Sequence, residues 1–191
     1  MSPIPGIWAS QISGHLWAPS GAYDAIASTT LSAATVSITF SGIPSTYTHL
    51  QVRMIMRNSS NSGGGGEENL QVQLNGDTAS NYSSHAVLGN GSSTAAWSSL
   101  GSTIYPSYGM IPMSNATASV FGTVIVDLLD YANTNKYKTL RFLGGVDKNG
   151  SGYAALSSGS WRSTSVTTSI TFYPLAGSFD TYSSFALYGI R

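Results

Sequence analysis

The chain has no cysteine, so neither disulfides nor thiolate metal sites hold it together. That fits synthesis in a reducing cytoplasm. Charge is nearly as scarce: 8% of residues are Asp, Glu, Lys or Arg, against about 25% in an average domain. Eight basic and eight acidic residues cancel to a net charge of zero. A neutral chain without clustered Lys and Arg has little means of displacing counterions, so nucleic acid is not an expected partner. No run approaches the roughly 18 apolar residues of a membrane helix, so no membrane partner is expected either. Met1 to Trp8 lacks both a basic region and an apolar core, and does not read as a secretory signal peptide. Five Asn-X-Ser/Thr sequons, at Asn58, Asn81, Asn90, Asn115 and Asn149, then read as accidents of composition.

What remains is apolar and small-polar. Hydrophobic residues make up 41% of the 191 and aromatics 11%, with 11 Tyr and 4 Trp. That suffices for one packed domain without staples. The polar part is mainly Ser, Thr, Asn and Gly. A surface near zero net charge tends to associate, so we expect it to be covered by neighbouring subunits rather than left in water.

Periodicity divides the chain in two. Residues 1–22 carry Pro3, Pro5 and Pro19 among Ile4, Ile7, Trp8, Leu16 and Trp17, with no period. Proline forbids a long helix and removes donors from a strand, so this is an irregular N-terminal arm. Its aromatics need cover, either from the arm's own domain or from another subunit. The second option makes Ile4, Ile7, Trp8, Leu16 and Trp17 partner-docking candidates.

From residue 23 the period is two. Val36, Ile38 and Phe40 alternate with Thr35, Ser37 and Thr39, and Leu50, Val52, Met54 and Met56 repeat the pattern. Leu70 to Leu74 is a further strand, closed by the turn Asn75-Gly76-Asp77. Val120 to Leu129 is almost continuously apolar, as for a strand buried on both faces. Lys138 to Val146, Tyr153 to Trp161, Val166 to Tyr173 and Tyr182 to Ile190 complete about eight strands. Asn58 to Glu68, including Gly63 to Gly66, reads as a mobile loop, without the Lys-Ser/Thr of a phosphate-binding loop. Residues 79–117 read as a long loop with one or two short strands. The expectation is an all-β fold: an antiparallel β-sandwich, jelly-roll-like, over residues 23–191, preceded by the arm at 1–22.

Constellations for chemistry are missing. His15, His49 and His85 are scattered, so no metal site is expected. Asp147-Lys148-Asn149-Gly150 opens like a calcium loop, but Ser158 stands where a bidentate Glu is needed, and a hairpin turn explains it better. There is no Gly-x-Ser-x-Gly elbow, and Asp127 and Asp130 look like turn-capping residues rather than an acid pair. No catalytic residue, cofactor or metal is assigned, and the chain is not expected to be an enzyme. Trp97, Tyr153 and Trp161 could bind a glycan, or could equally fill the core or an interface.

Several blocks carry a likeness. FSGIPSTYTHLQVR at 40–53, LNGDTASNYSSH at 74–85, DLLDYANTNKYKTLR at 127–141, Asn149 to Gly152, SGSWRST at 158–164 and the closing FALYGIR at 185–191 recur in order. Together with the opening PGIWASQISGH they resemble a family of tailed-bacteriophage virion proteins. The resemblance implies a capsid decoration (cement) protein or a tail-associated protein, located in the virion after synthesis in the host cytoplasm. Its partners would be major capsid or tail proteins. Symmetric homo-oligomers, trimers among them, would follow from such a position. The alternative is a tail-fibre or receptor-binding module that recognises host surface glycans.

Overall fold

The computed structural model describes residues 22–61, 66–106 and 109–191. Alternation between buried and exposed side chains produces thirteen strands there and no helix. They are β1 (Tyr23–Thr30), β2 (Ile38–Ser41), β3 (His49–Met56), β4 (Glu67–Glu68), β5 (Leu70–Leu74), β6 (Tyr82–Gly89) and β7 (Thr94–Gly101). After them come β8 (Ile111–Pro112), β9 (Gly122–Leu129), β10 (Lys138–Asp147), β11 (Gly152–Trp161), β12 (Ser169–Pro174) and β13 (Ser184–Ile190).

Eight strands form one antiparallel sheet in the order β1-β13-β3-β9-β10-β11-β6-β7. A smaller sheet, β2-β12-β5, lies across one of its faces, and β4 pairs with β8 beside it. Leu50, Val52, Met54 and Met56 of β3, Val124 and Val126 of β9 and Phe142 of β10 point inward from the large sheet. They join Phe40, Val72, Ile170 and Phe172 of the small sheet in a single core. This is the expected β-sandwich. The division is unequal, since one sheet holds eight strands by itself and its partner three.

The turns follow local chemistry. Asn75 and Gly76 both take left-handed φ (53° and 65°), and the Asp77 N–H donates to the Leu74 carbonyl at 3.0 Å. Asn149 and Gly150 do the same between β10 and β11, where the Lys148 N–H donates to Ser151 O at 2.7 Å. The Asp147 carboxylate accepts the Asn149 N–H at 2.8 Å, as a hairpin turn requires.

Two buried cations lock loops to the sandwich. Arg57 donates to the carbonyls of Ser114, Ala116, Thr117 and Val120, pinning the segment before β9. Lys138, with no exposed surface, donates to Asn133 O at 2.6 Å, Lys136 O at 3.1 Å and Thr164 O at 3.2 Å. Each replaces lost water with carbonyl oxygens, which is how a buried charge avoids its desolvation penalty.

Five readings of the sequence change. Tyr23–Thr30, not read as a strand, is β1, and Glu67–Glu68, read as loop, is the short β4. Residues 79–117 are not mainly loop: they hold β6 and β7, two eight-residue strands, and short β8. The first strand of the 36–40 segment begins at Ile38, leaving Val36 exposed outside it. Most consequentially, the apolar run ending at Leu129 is not buried on both faces. Within β9, Val124, Val126 and Leu128 are buried, while Ile125 and Leu129 are exposed.

Candidate interaction surface

Only one face of the eight-stranded sheet is covered among the described residues. The pairing registers line up the outward side chains in rows across the strands. One row runs Ala186, Arg53, Ile125, Leu143, Leu156, Val87, Ala96, from β13 through to β7. Six of its seven members are apolar. Ile125 is 38% exposed, Leu143 58%, Leu156 50% and Val87 48%. Ile55 is exposed in the next row, beside Thr123. Isolated exposed leucines need no explanation, but an apolar line unbroken from Ile125 on β9 to Ala96 on β7, across five strands, marks a surface that is covered in use.

The row on the other side is polar: Tyr188, Gln51, Asp127, Arg141, Ser158, His85 and Ser98. Its charges are tied together laterally. Arg53 Nε donates to Gln51 Oε1 at 2.8 Å, and Gln51 Nε2 to Asp127 Oδ1 at 2.8 Å. Arg141 donates to Asp127 Oδ2 through Nε at 3.1 Å and Nη2 at 2.6 Å. The Arg53 guanidinium also lies over the rings of Tyr23 and Tyr188, 5.1 and 4.9 Å from their centroids. The charges on this face are therefore already satisfied within it.

The remaining carboxylates are dispersed and locally engaged. Asp24 holds Arg191, and Glu67 pairs with Lys148. Asp130 accepts from Lys136 at 2.6 Å, and that ammonium holds its carboxyl below the usual range. Asp77 accepts from Asn81, Trp161 and the Ala79 N–H, and these bonds lower its pKa in that order. His49 faces outward, opposite to Met54 as its parity demands, and accepts the Asp130 N–H at 3.0 Å. Among the described residues no group of three or more His, Asp or Glu is placed to hold a metal ion.

The aromatics singled out by sequence separate. Trp161 is core: it is buried, stacks on Tyr82 at 6.3 Å and gives its indole N–H to Asp77 at 2.7 Å. It leaves no ring face for a sugar, which removes it from the glycan candidates. Trp97 lies half-buried on β7, edge-on to Tyr105 at 4.8 Å, on the inward side with Ala86. Tyr153 is partly buried at the start of β11 and lines an open hollow of about 680 Å³ with Phe121, Asn90 and Asp147. The three do not form one site. Ile4, Ile7, Trp8, Leu16 and Trp17 lie outside the described residues.

The outward residues of β10 and β11 escaped the sequence reading. Their signal was present: Leu143 and Leu156 are apolar at the parity opposite to the buried Phe142 and Ala155. Compared with known proteins, the chain matches no family model, no curated protein and no solved structure.

Proposed function

We propose that the chain is a structural protein of a tailed-bacteriophage particle, a capsid decoration (cement) protein that docks on the particle and contacts neighbouring subunits. One observation carries the reading: the large sheet turns an apolar, internally charge-paired face to solvent. Such a face on a chain with zero net charge favours association over solitary solubility. The ordered blocks between residues 40 and 191 that resemble virion proteins support the same class. In this reading the partners are major capsid or tail proteins, and the uncharged residues 1–22, with Trp8 and Trp17, supply the docking element.

Quantifying the chain in purified particles of the phage that encodes it tests the proposal. Hundreds of copies per particle are expected, and absence from the particle refutes it. Deleting residues 1–22 should leave the sandwich folded and abolish attachment; equal occupancy by truncated and full-length chains refutes the arm's role.

The hollow beside Tyr153 favours a second reading, a tail-fibre or receptor-binding module for host glycans. Amide and carboxylate groups beside an aromatic ring suit sugar hydroxyls. That reading expects a handful of copies per particle, and glycan binding that Tyr153→Ala abolishes.

A further inference from the structure

We infer that the outer face of the eight-stranded sheet binds the same face of a second copy of this chain, in a face-to-face dimer with two-fold symmetry. The inference deepens the assembly reading above and names its surface.

Size is the first argument. Seven strands about 4.8 Å apart, with eight residues at about 3.4 Å each, give a face of roughly 900 Å². A standard stable interface needs about 800 Å² per partner, so the face is large enough without help from the rest of the molecule.

Shape is the second. Leu143 and Leu156, paired neighbours on β10 and β11 and both half-exposed, form the ridge between two hollows, Leu143 lining one and Leu156 the other. A hollow of about 490 Å³ lies on one side, with Ile55, Ile125 and Ala186 in its lining. A second, of about 630 Å³, lies on the other side, with Val87 and Ala96. A two-fold axis in the interface plane, placed between ridge and hollow, seats each copy's ridge in the other's hollow. Both contacts come from one rotation, as an isologous interface requires.

Charge is the third. A face dominated by one sign repels its own copy, whereas this one has Arg53, Arg141 and Asp127, with Asp127 held by Arg141 and joined through Gln51 to Arg53. Gln51, Asp127 and Arg141 lie along one side of the apolar row, and Arg53, which stands in the row, turns its guanidinium back to Gln51 and over Tyr23 and Tyr188. The network falls at the rim of the dimer and keeps its bonds, while the apolar row forms the centre. Burying paired groups at a rim costs far less than burying a lone charge.

The test is sedimentation of the purified full-length chain at micromolar concentrations, in the absence of particles. The wild type should sediment as a dimer. Leu143→Arg and, separately, Leu156→Ser should each weaken dimerisation, the former by about 100-fold, as loss of a central interface residue does. Leu175→Arg, at a position exposed away from this face, should leave it unchanged. Circular dichroism spectra matching the wild type certify the fold, and Leu156→Ser serves if Leu143→Arg does not fold. A monomeric wild type overturns the inference, because the face is then covered by residues 1–21 or by an unlike partner. A dimer that survives in every folded variant overturns it as well. The virion reading is decided separately, by particle composition.

Discussion

Phe142 and Leu143 are sequence neighbours on β10, yet they belong to two different surfaces. Phe142 points into the core and is 2% exposed; Leu143 points out and is 58% exposed. The same strands make both faces, and both faces are apolar along their middle. Among the described residues only the inner one has a second layer over it, built from β2, β12 and β5. Hydrophobicity therefore does not separate the two sides of this sheet. Cover does. Polar groups follow the same division. The inner cations Arg57 and Lys138 are saturated by backbone carbonyls. The outer ones, Arg53 and Arg141, are linked through side chains that remain near water.

Substitutions at matched positions break or sharpen this contrast. The largest effect is expected at Phe142→Ala, which removes a buried ring and should lower unfolding free energy by about 3–5 kcal/mol in urea titrations. A loss below about 1 kcal/mol would mean that the inner face is not the core. Next comes Arg57→Met, which strands four carbonyls and frees the 114–120 segment; a cost of about 2–4 kcal/mol is expected. Its outer counterpart Arg141→Met should cost less than about 1 kcal/mol, because the guanidinium is exposed and screened and Asp127 keeps its bond from Gln51. Equal costs for the two would erase the distinction.

Alkaline pH probes the inner face in a graded way. Tyr82 is fully buried, and burial pushes its phenol from 10.0 up to about 12. The folded-state pKa lies above the unfolded one, so this stability is present in full below pH 10 and lost as pH rises through 12. Two pKa units correspond to about 2–3 kcal/mol. Tyr131 and Tyr173 are raised in the same direction. Tyr82→Phe should therefore remove part of the alkaline loss measured by urea titration at successive pH values, and an unchanged profile would place the titration elsewhere.

Alternation made β3, β5 and the strands from β10 onward legible, because Leu50/Gln51 or Leu140/Arg141 parity survives in any context that buries one face. Two of its failures have clear physical reasons. β7 is an edge strand of mostly Thr, Ala, Ser and Gly, its two large apolar residues Trp97 and Leu100 stand at opposite parities, and every residue is partly or fully exposed, so it has no hydrophobic contrast to read. The run ending at Leu129 has apolar residues at both parities. A sequence records that a side chain is apolar, not whether its cover comes from the same chain or another. That ambiguity hid Ile125, Leu143 and Leu156 from the reading of candidate sites. Trp97 and Trp161 were indistinguishable in sequence for a related reason: the indole bond to Asp77 that fixes Trp161 spans 84 positions.

The smallest expected effect is the most discriminating one. Leu143→Ser trades an exposed leucine for a small polar residue at the centre of the outer face. If nothing in the same chain covers it, unfolding free energy should stay within about 0.5 kcal/mol of wild type in dilute solution, where subunits are apart. At higher concentration the wild type should gain stability over the variant, because dimerisation favours the folded state by mass action. A loss of about 2 kcal/mol that does not depend on concentration would instead mean that the chain's own residues bury Leu143. The two faces would then differ only in which segment covers them, and self-association would have no surface here to use.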